Sequence, residues 1–166
     1  TSHSAHHSFG FANSCCFFFS FFFFFFKQKT AYEMLRSLVG SEMCKETAFY
    51  QPTIADLQGL TGTLDAEGWN IISIEGAQYL TNLQFLDLNN NRISDLSPLA
   101  GLTNLQELYL YNNQISDLSP LAGLTNLQYL YLSGNQISDL SPLAGLNNLQ
   151  YLYLLNNQIS DLSHIV

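Results

Sequence analysis

The chain has 166 residues and a formal net charge of -8, which allows one ordinary domain with a core of useful size. Over residues 46–166 eleven acidic residues stand against Arg92 alone, a formal charge of -10. That balance argues against nucleic acid as a partner, because polyanion binding relies on clustered Lys and Arg. Eleven of the 13 phenylalanines precede residue 27, so the 47% apolar fraction averages two unlike sequences. The three cysteines, Cys15, Cys16 and Cys44, also come early. The rest of the chain, free of cysteine, needs neither a disulfide nor a zinc site, and the redox compartment is left open.

Residues 17–26 read FFFSFFFFFF. Ten residues are too few for a membrane-spanning helix, which needs about 20. A secretory h-region has a similar length, but residues 1–14 carry no Lys or Arg, and Lys27, Gln28 and Lys29 stand where a small-residue cleavage site belongs. Identical bulky rings do not interdigitate as a mixed core does. The adjoining stretch, FFFFFFKQKTAYEMLRSLVGSEMC at 21–44, resembles almost letter for letter the product of translating a T-rich tract joined to a sequencing-library adapter. Residues 1–45 are therefore expected to be a non-native or disordered low-complexity segment, with the natural coding sequence beginning near Lys45. MLRSLV at 34–39 has the pattern of a short amphipathic helix. The early histidines His3, His6 and His7 are not read as a metal site.

Residues 46–60 are expected to be the remnant of an N-terminal cap, with Ile54, Leu57 and Leu60 as its apolar side. Self-similarity then takes over. LQFLDLNNNRISDLSPLAGLTN (83–104), LQELYLYNNQISDLSPLAGLTN (105–126), LQYLYLSGNQISDLSPLAGLNN (127–148) and the shortened LQYLYLLNNQISDLSHIV (149–166) share a 22-residue period. A degenerate copy at 61–82 keeps Leu64, Ile71, Ile74 and Leu80 but has Trp69 where the others have Asn. Each unit fits L-x-x-L-x-L-x-x-N, the leucine-rich-repeat signature. The last copy stops after 18 residues, and the chain reads as truncated at both ends.

The period translates directly into an α/β leucine-rich-repeat solenoid, a right-handed coil. Leu86 and Leu88 and their counterparts alternate as strand residues facing one side, so successive coils pair into a parallel sheet on the concave face. Asn91, Asn113, Asn135 and Asn157 fall at the strand-to-loop corner, where an inward Asn satisfies buried backbone groups and stacked copies form a structural ladder. Ile93, Leu96, Leu99 and Leu102 recur every three residues, as 3₁₀-like or irregular returns on the convex face require. Pro98, Pro120 and Pro142 suit such a path.

NQISDLSPLAGLTNLQYLYL closely resembles the internalin-like branch of bacterial leucine-rich-repeat proteins, and IADLQGLTGTLDAEGWNIISIEGAQYLTNL at 54–83 looks like their junction between cap and first repeat. The resemblance covers 54–166. It implies a secreted or cell-surface bacterial solenoid used for adhesion or ligand capture; a cytoplasmic regulatory scaffold of the phosphatase-regulator kind is the competing location.

The outward strand positions are the candidate binding face. One column is Thr63, Phe85, Glu107, Tyr129 and Tyr151; the next is Asp65, Asp87, Tyr109, Tyr131 and Tyr153; the third is Glu67, Asn89, Tyr111, Ser133 and Leu155. The candidate site is Phe85, Asp87, Glu107, Tyr109, Tyr111, Tyr129, Tyr131, Tyr151 and Tyr153. Tyrosine combines contact area with a hydroxyl handle and is enriched in binding hot spots, although aromatic pairs also simply stiffen sheets. A protein ligand, with a basic patch beside an apolar one, suits a face graded from acidic to aromatic. Carbohydrate is the competitor. No catalytic residues, metal site or cofactor are expected, nor membrane insertion: His164 is the sole histidine of the repeats, and no Ser–His–acid or ligand set emerges. The repeated Asp95, Asp117, Asp139 and Asp161 are read as acceptors for their own turns rather than calcium ligands.

Overall fold

The computed structural model describes residues 54–163. The readings placed on 1–45, on 46–53 and on the last three residues lie outside that range. A five-residue helix, α1 (Ile54–Gln58), precedes five short strands: β1 (Gly62–Asp65), β2 (Leu83–Asp87), β3 (Glu107–Tyr109), β4 (Tyr129–Tyr131) and β5 (Tyr151–Tyr153). All five lie in one parallel sheet in chain order. The register is one repeat per strand: Leu86 faces Leu108, Leu108 faces Leu130, and Leu130 faces Leu152.

The strands are short because each coil turns after the second inward leucine. Leu108, Leu110, Leu130 and Leu132 have no exposed surface. The return path is a run of tight turns in which every third residue is apolar. The Leu99 amide donates to the Leu96 carbonyl at 2.8 Å, Leu102 to Leu99 at 3.0 Å and Leu105 to Leu102 at 3.0 Å. These i to i-3 bonds place all four leucines on the inner side, at most 1% exposed. The 3₁₀ turns Ser97–Leu99, Ser119–Leu121 and Ser141–Gly145 each carry proline in their first turn, where its missing N–H costs nothing.

Between the two walls the coils are tied by backbone bonds one repeat apart: Arg92 to Ile71, Gln114 to Ile93, Gln136 to Ile115 and Gln158 to Ile137, each at 2.8–2.9 Å. The core is thus one continuous leucine and isoleucine stack, closed at one end by Leu57 of α1, which is 2% exposed. In the last described coil, Leu152 and Leu154 keep the inward register but are only partly buried, because no further described coil covers them. Burial here is a nearest-neighbour property, as in any solenoid.

Candidate functional site

The inward asparagines form the scaffold beneath the sheet. Oδ1 of Asn113 accepts from the Ile93 amide at 3.0 Å, and its Nδ2 donates to the carbonyls of Leu88 and Leu110 at 2.9 and 3.2 Å. Asn135 repeats this with Ile115, Leu110 and Leu132 at 3.0, 2.9 and 3.0 Å. Asn157 does so with Ile137, Leu132 and Leu154. Asn91 makes the first rung, reaching the Ile71 amide and the Ala66 carbonyl in the coil that carries Trp69 at the equivalent position. Each amide therefore clips its own coil to the preceding one.

Two further columns fix the corners, and neither stands out in the sequence. Asn82, Asn104, Asn126 and Asn148 donate across the coils to the carbonyls of Gln58, Thr81, Thr103 and Thr125 at 2.6–2.9 Å. Their signal is the recurring T/N-N pair before each LQ, which looks like an ordinary polar loop. Asn90, Asn112 and Asn156 adopt positive φ, and Gly134 takes that place in the fourth coil with φ +74. A side-chain Cβ at Gly134 would require the Asn112 amide oxygen to shift, and this coil reads SGN where its neighbours read YNN and LNN.

Upon this frame the outward columns stand in register: Phe85 beside Glu107, Glu107 beside Tyr129, Tyr129 beside Tyr151, and Asp87, Tyr109, Tyr131 and Tyr153 in line. Rings one strand apart touch. Tyr131 lies between Tyr109 (centroids 4.3 Å, 57° between planes) and Tyr153 (4.4 Å, 13°). Phe85 meets Tyr109 edge-on at 5.0 Å, and Tyr129 stacks on Tyr151 at 4.9 Å and 5°. Tyr111, Tyr151 and Tyr153 are exposed, whereas Phe85, Tyr109, Tyr129 and Tyr131 are half-buried by their neighbours.

The second and third columns enclose a groove of about 360 Å³ lined by Asn89, Tyr109, Tyr111, Tyr131, Ser133, Tyr153 and Leu155. Asn89, Ser133 and Leu155 belong to the third outward column but are not among the site residues expected from the sequence. Asn89 and Ser133 hold the rim by accepting the amides of Tyr111 and Leu155 at 2.7 and 3.0 Å through their side-chain oxygens.

The acidic end differs from the open strand position the sequence implies. Asp87 is 9% exposed and accepts the Asn89 amide at 2.8 Å. Burial pushes its carboxyl above the ordinary value; the Asn89 bond opposes this, and Asp65 and Glu67 add to it. The Tyr109 hydroxyl donates to Glu107 at 3.1 Å. Burial, then that bond and the Glu107 charge, holds the phenol above its usual range. Burial, then the neighbouring Tyr153, likewise raises Tyr131.

On the opposite side, Asp95, Asp117, Asp139 and Asp161 each accept the amide two residues on, at 2.8 Å. The Ser97 hydroxyl, then its amide, holds Asp95 low, and Ser119 does the same for Asp117. Among the described residues no group of three or more His, Cys, Asp and Glu is placed to hold a metal ion, and no helix is long and apolar enough to cross a membrane.

The family model of leucine-rich repeats in two copies matches residues 81–123 and 125–165. Among solved structures, the chain is 41% identical to an internalin (inlF) of Listeria monocytogenes, with a TM-score of 0.70, over 79% of this chain and 38% of that one. It is 40% identical to internalin C2 of the same organism, with a TM-score of 0.59, over 82% of this chain and 72% of that one. The functional domain of InlJ, again from Listeria monocytogenes and described as including a cysteine ladder, is 29% identical at a TM-score of 0.65, over 76% of this chain and 27% of that one. The chain thus spans well under half the length of two of these three relatives. Among curated proteins, none matches.

Proposed function

The chain belongs to the internalin-like leucine-rich-repeat proteins of bacteria, a protein-interaction module by that membership, and we propose that it captures a protein ligand on the aromatic face of its sheet, outside the cell. The observation that carries this reading is the unbroken contact chain Phe85–Tyr109–Tyr131–Tyr153, beside a groove that those tyrosines themselves line. Rigid aromatic rings give large contact area at low conformational cost, and central, desolvated ones carry most interface energy. The site comprises Phe85, Glu107, Tyr109, Tyr111, Tyr129, Tyr131, Tyr151 and Tyr153, with Tyr131 at its centre; Asp87, expected there from the sequence, is buried beneath it. No catalytic step is assigned to it.

The ring geometry favours protein over carbohydrate. A sugar stacks on an open ring face, but Tyr131 has tyrosine rings on both sides, and Tyr129 has one face against Tyr151. Around Tyr131 the ladder offers mainly ring edges and hydroxyls, which match the mixed apolar and polar surface of a protein. The secreted or surface location is part of the proposal and rests on family membership. The test is contact mapping: a benzophenone side chain installed at position 131 should cross-link the ligand, and the same group at position 117 should not. Cross-linking from position 117 alone would move the site to the other side of the coil.

A further inference from the structure

The first outward column has a gap in its ladder. It runs Phe85, Glu107, Tyr129, Tyr151, so a carboxylate stands where a ring would otherwise continue the stack. Tyr129 gives one face to Tyr151, which leaves its other face on the side of the Glu107 strand; Phe85, on the far side of that strand, packs edge-on against Tyr109. Two strand spacings separate the backbones of Phe85 and Tyr129, about 10 Å, more than the roughly 7–8 Å a planar group spans in contact on both sides, so a planar group over Glu107 rests on one ring, that of Tyr129.

We propose that Glu107, with Phe85 and Tyr129 on either side and Tyr109 beside it, is a subsite for an arginine side chain of the protein ligand. This deepens the reading of the aromatic face as the binding surface and rests on it. The guanidinium lies over the carboxylate and against the face of Tyr129 that Tyr151 leaves free. One carboxylate oxygen, Oε2, accepts the Tyr109 hydroxyl at 3.1 Å; no other hydrogen bond reaches the Glu107 side chain among the described residues. Oε1 and the Tyr109 hydroxyl oxygen are then adjacent acceptors for a forked donor, which an ammonium does not match.

The charge argument is specific to this position. Among residues 54–163 Arg92 is the only basic side chain, and Asp65, Glu67 and Asp87 extend the negative potential along the neighbouring strands. Asp87 is buried and engaged with the Asn89 amide, which leaves Glu107 as the acid that combines partial exposure with aromatic neighbours. A cation held over a carboxylate and against a ring face gains both a charge-assisted bond and a cation–π contact.

The probes are Nα-acetyl-arginine amide and its neutral isostere Nα-acetyl-citrulline amide, titrated into the ¹⁵N-labelled full chain and followed by amide shifts. The arginine derivative should give saturable shifts at 85, 107, 109 and 129, and bind about tenfold or more tightly than the citrulline derivative. Glu107→Gln should remove that preference, and Tyr129→Leu should weaken arginine binding about fivefold with the rest of the spectrum preserved. If Glu107→Gln disturbs the fold, Tyr129→Leu alone decides. Equal binding of the two derivatives, or shifts confined to the Asp95 and Asp117 side, overturns the subsite. That result leaves the aromatic face standing if position 131 still cross-links the ligand; silence at both positions refutes the face as well.

Discussion

Replacing Asn135 with alanine is the sharpest probe of how the coils are joined. The residue is 8% exposed and makes one bond as acceptor, from the Ile115 amide, and two as donor, to the carbonyls of Leu110 and Leu132. The consequences are unequal. Leu110 keeps the Asn113 amide at 3.2 Å, and Leu132 keeps the Asn157 amide at 2.9 Å, so both carbonyls retain a partner. The Ile115 N–H has no substitute, and an orphaned buried donor costs about 1–3 kcal/mol. With the small void left behind, the expected loss is about 2 kcal/mol, a large part of a typical folding free energy. Asn157 makes the matching bonds at the rung that is only partly buried. Water reaches that rung, and Asn157→Ala should cost less than about 1 kcal/mol. Urea unfolding of both variants, followed by circular dichroism, gives the comparison. A loss for Asn135→Ala no larger than that for Asn157→Ala would refute the ladder as the joint between coils.

Leu130→Ala, at a fully buried strand position, should cost about 2–5 kcal/mol in the same assay through the cavity it leaves. Asp87→Asn keeps the oxygen that accepts the Asn89 amide and removes a charge whose pKa is raised by burial. A raised folded-state pKa means the native state holds its proton more tightly, so wild-type stability falls as pH rises from the unfolded value near 3.8 through the folded one. The variant should therefore be the more stable protein at pH 7, with the difference closing toward pH 4; a constant difference over that range would contradict the burial argument. We also propose that residues 1–45 stand apart from the folded unit. Deleting 1–44 should leave the dichroism spectrum and urea midpoint of the repeats unchanged, and loss of folding would show the opposite.

Much of this architecture is legible in the sequence because a solenoid is periodic. A 22-residue period fixes which residues stack, and the alternation at Leu86 and Leu88 fixes which of them point inward, so the three outward columns come from counting alone. The features that are not legible depend on contacts between coils rather than on position within one. Asp87 shares its column with Asp65 and Tyr109, yet it is buried whereas they are not, a difference that position within the repeat does not encode. The Asn82 to Asn148 column looks like solvent-facing loop, yet each side chain reaches a carbonyl in the coil before. Whether aligned tyrosines stack or splay is likewise set by ring rotation: Tyr129 and Tyr151 are parallel, whereas Tyr109 and Tyr131 are tilted by 57°.

The central claim is that the tyrosine face is where the ligand binds, and the affinity of Tyr131→Ala for the protein that cross-links to position 131 tests it most directly. Tyr131 is outward and lies outside the leucine core, so the variant should stay folded, with a urea midpoint lowered only by the two ring contacts it loses, about 1–2 kcal/mol. Surface plasmon resonance should show Kd weakened about thirtyfold or more, equivalent to roughly 2 kcal/mol at the centre of an interface, while Asp117→Ala on the opposite side binds as the parent does. A Kd for Tyr131→Ala equal to that of the parent would contradict the account.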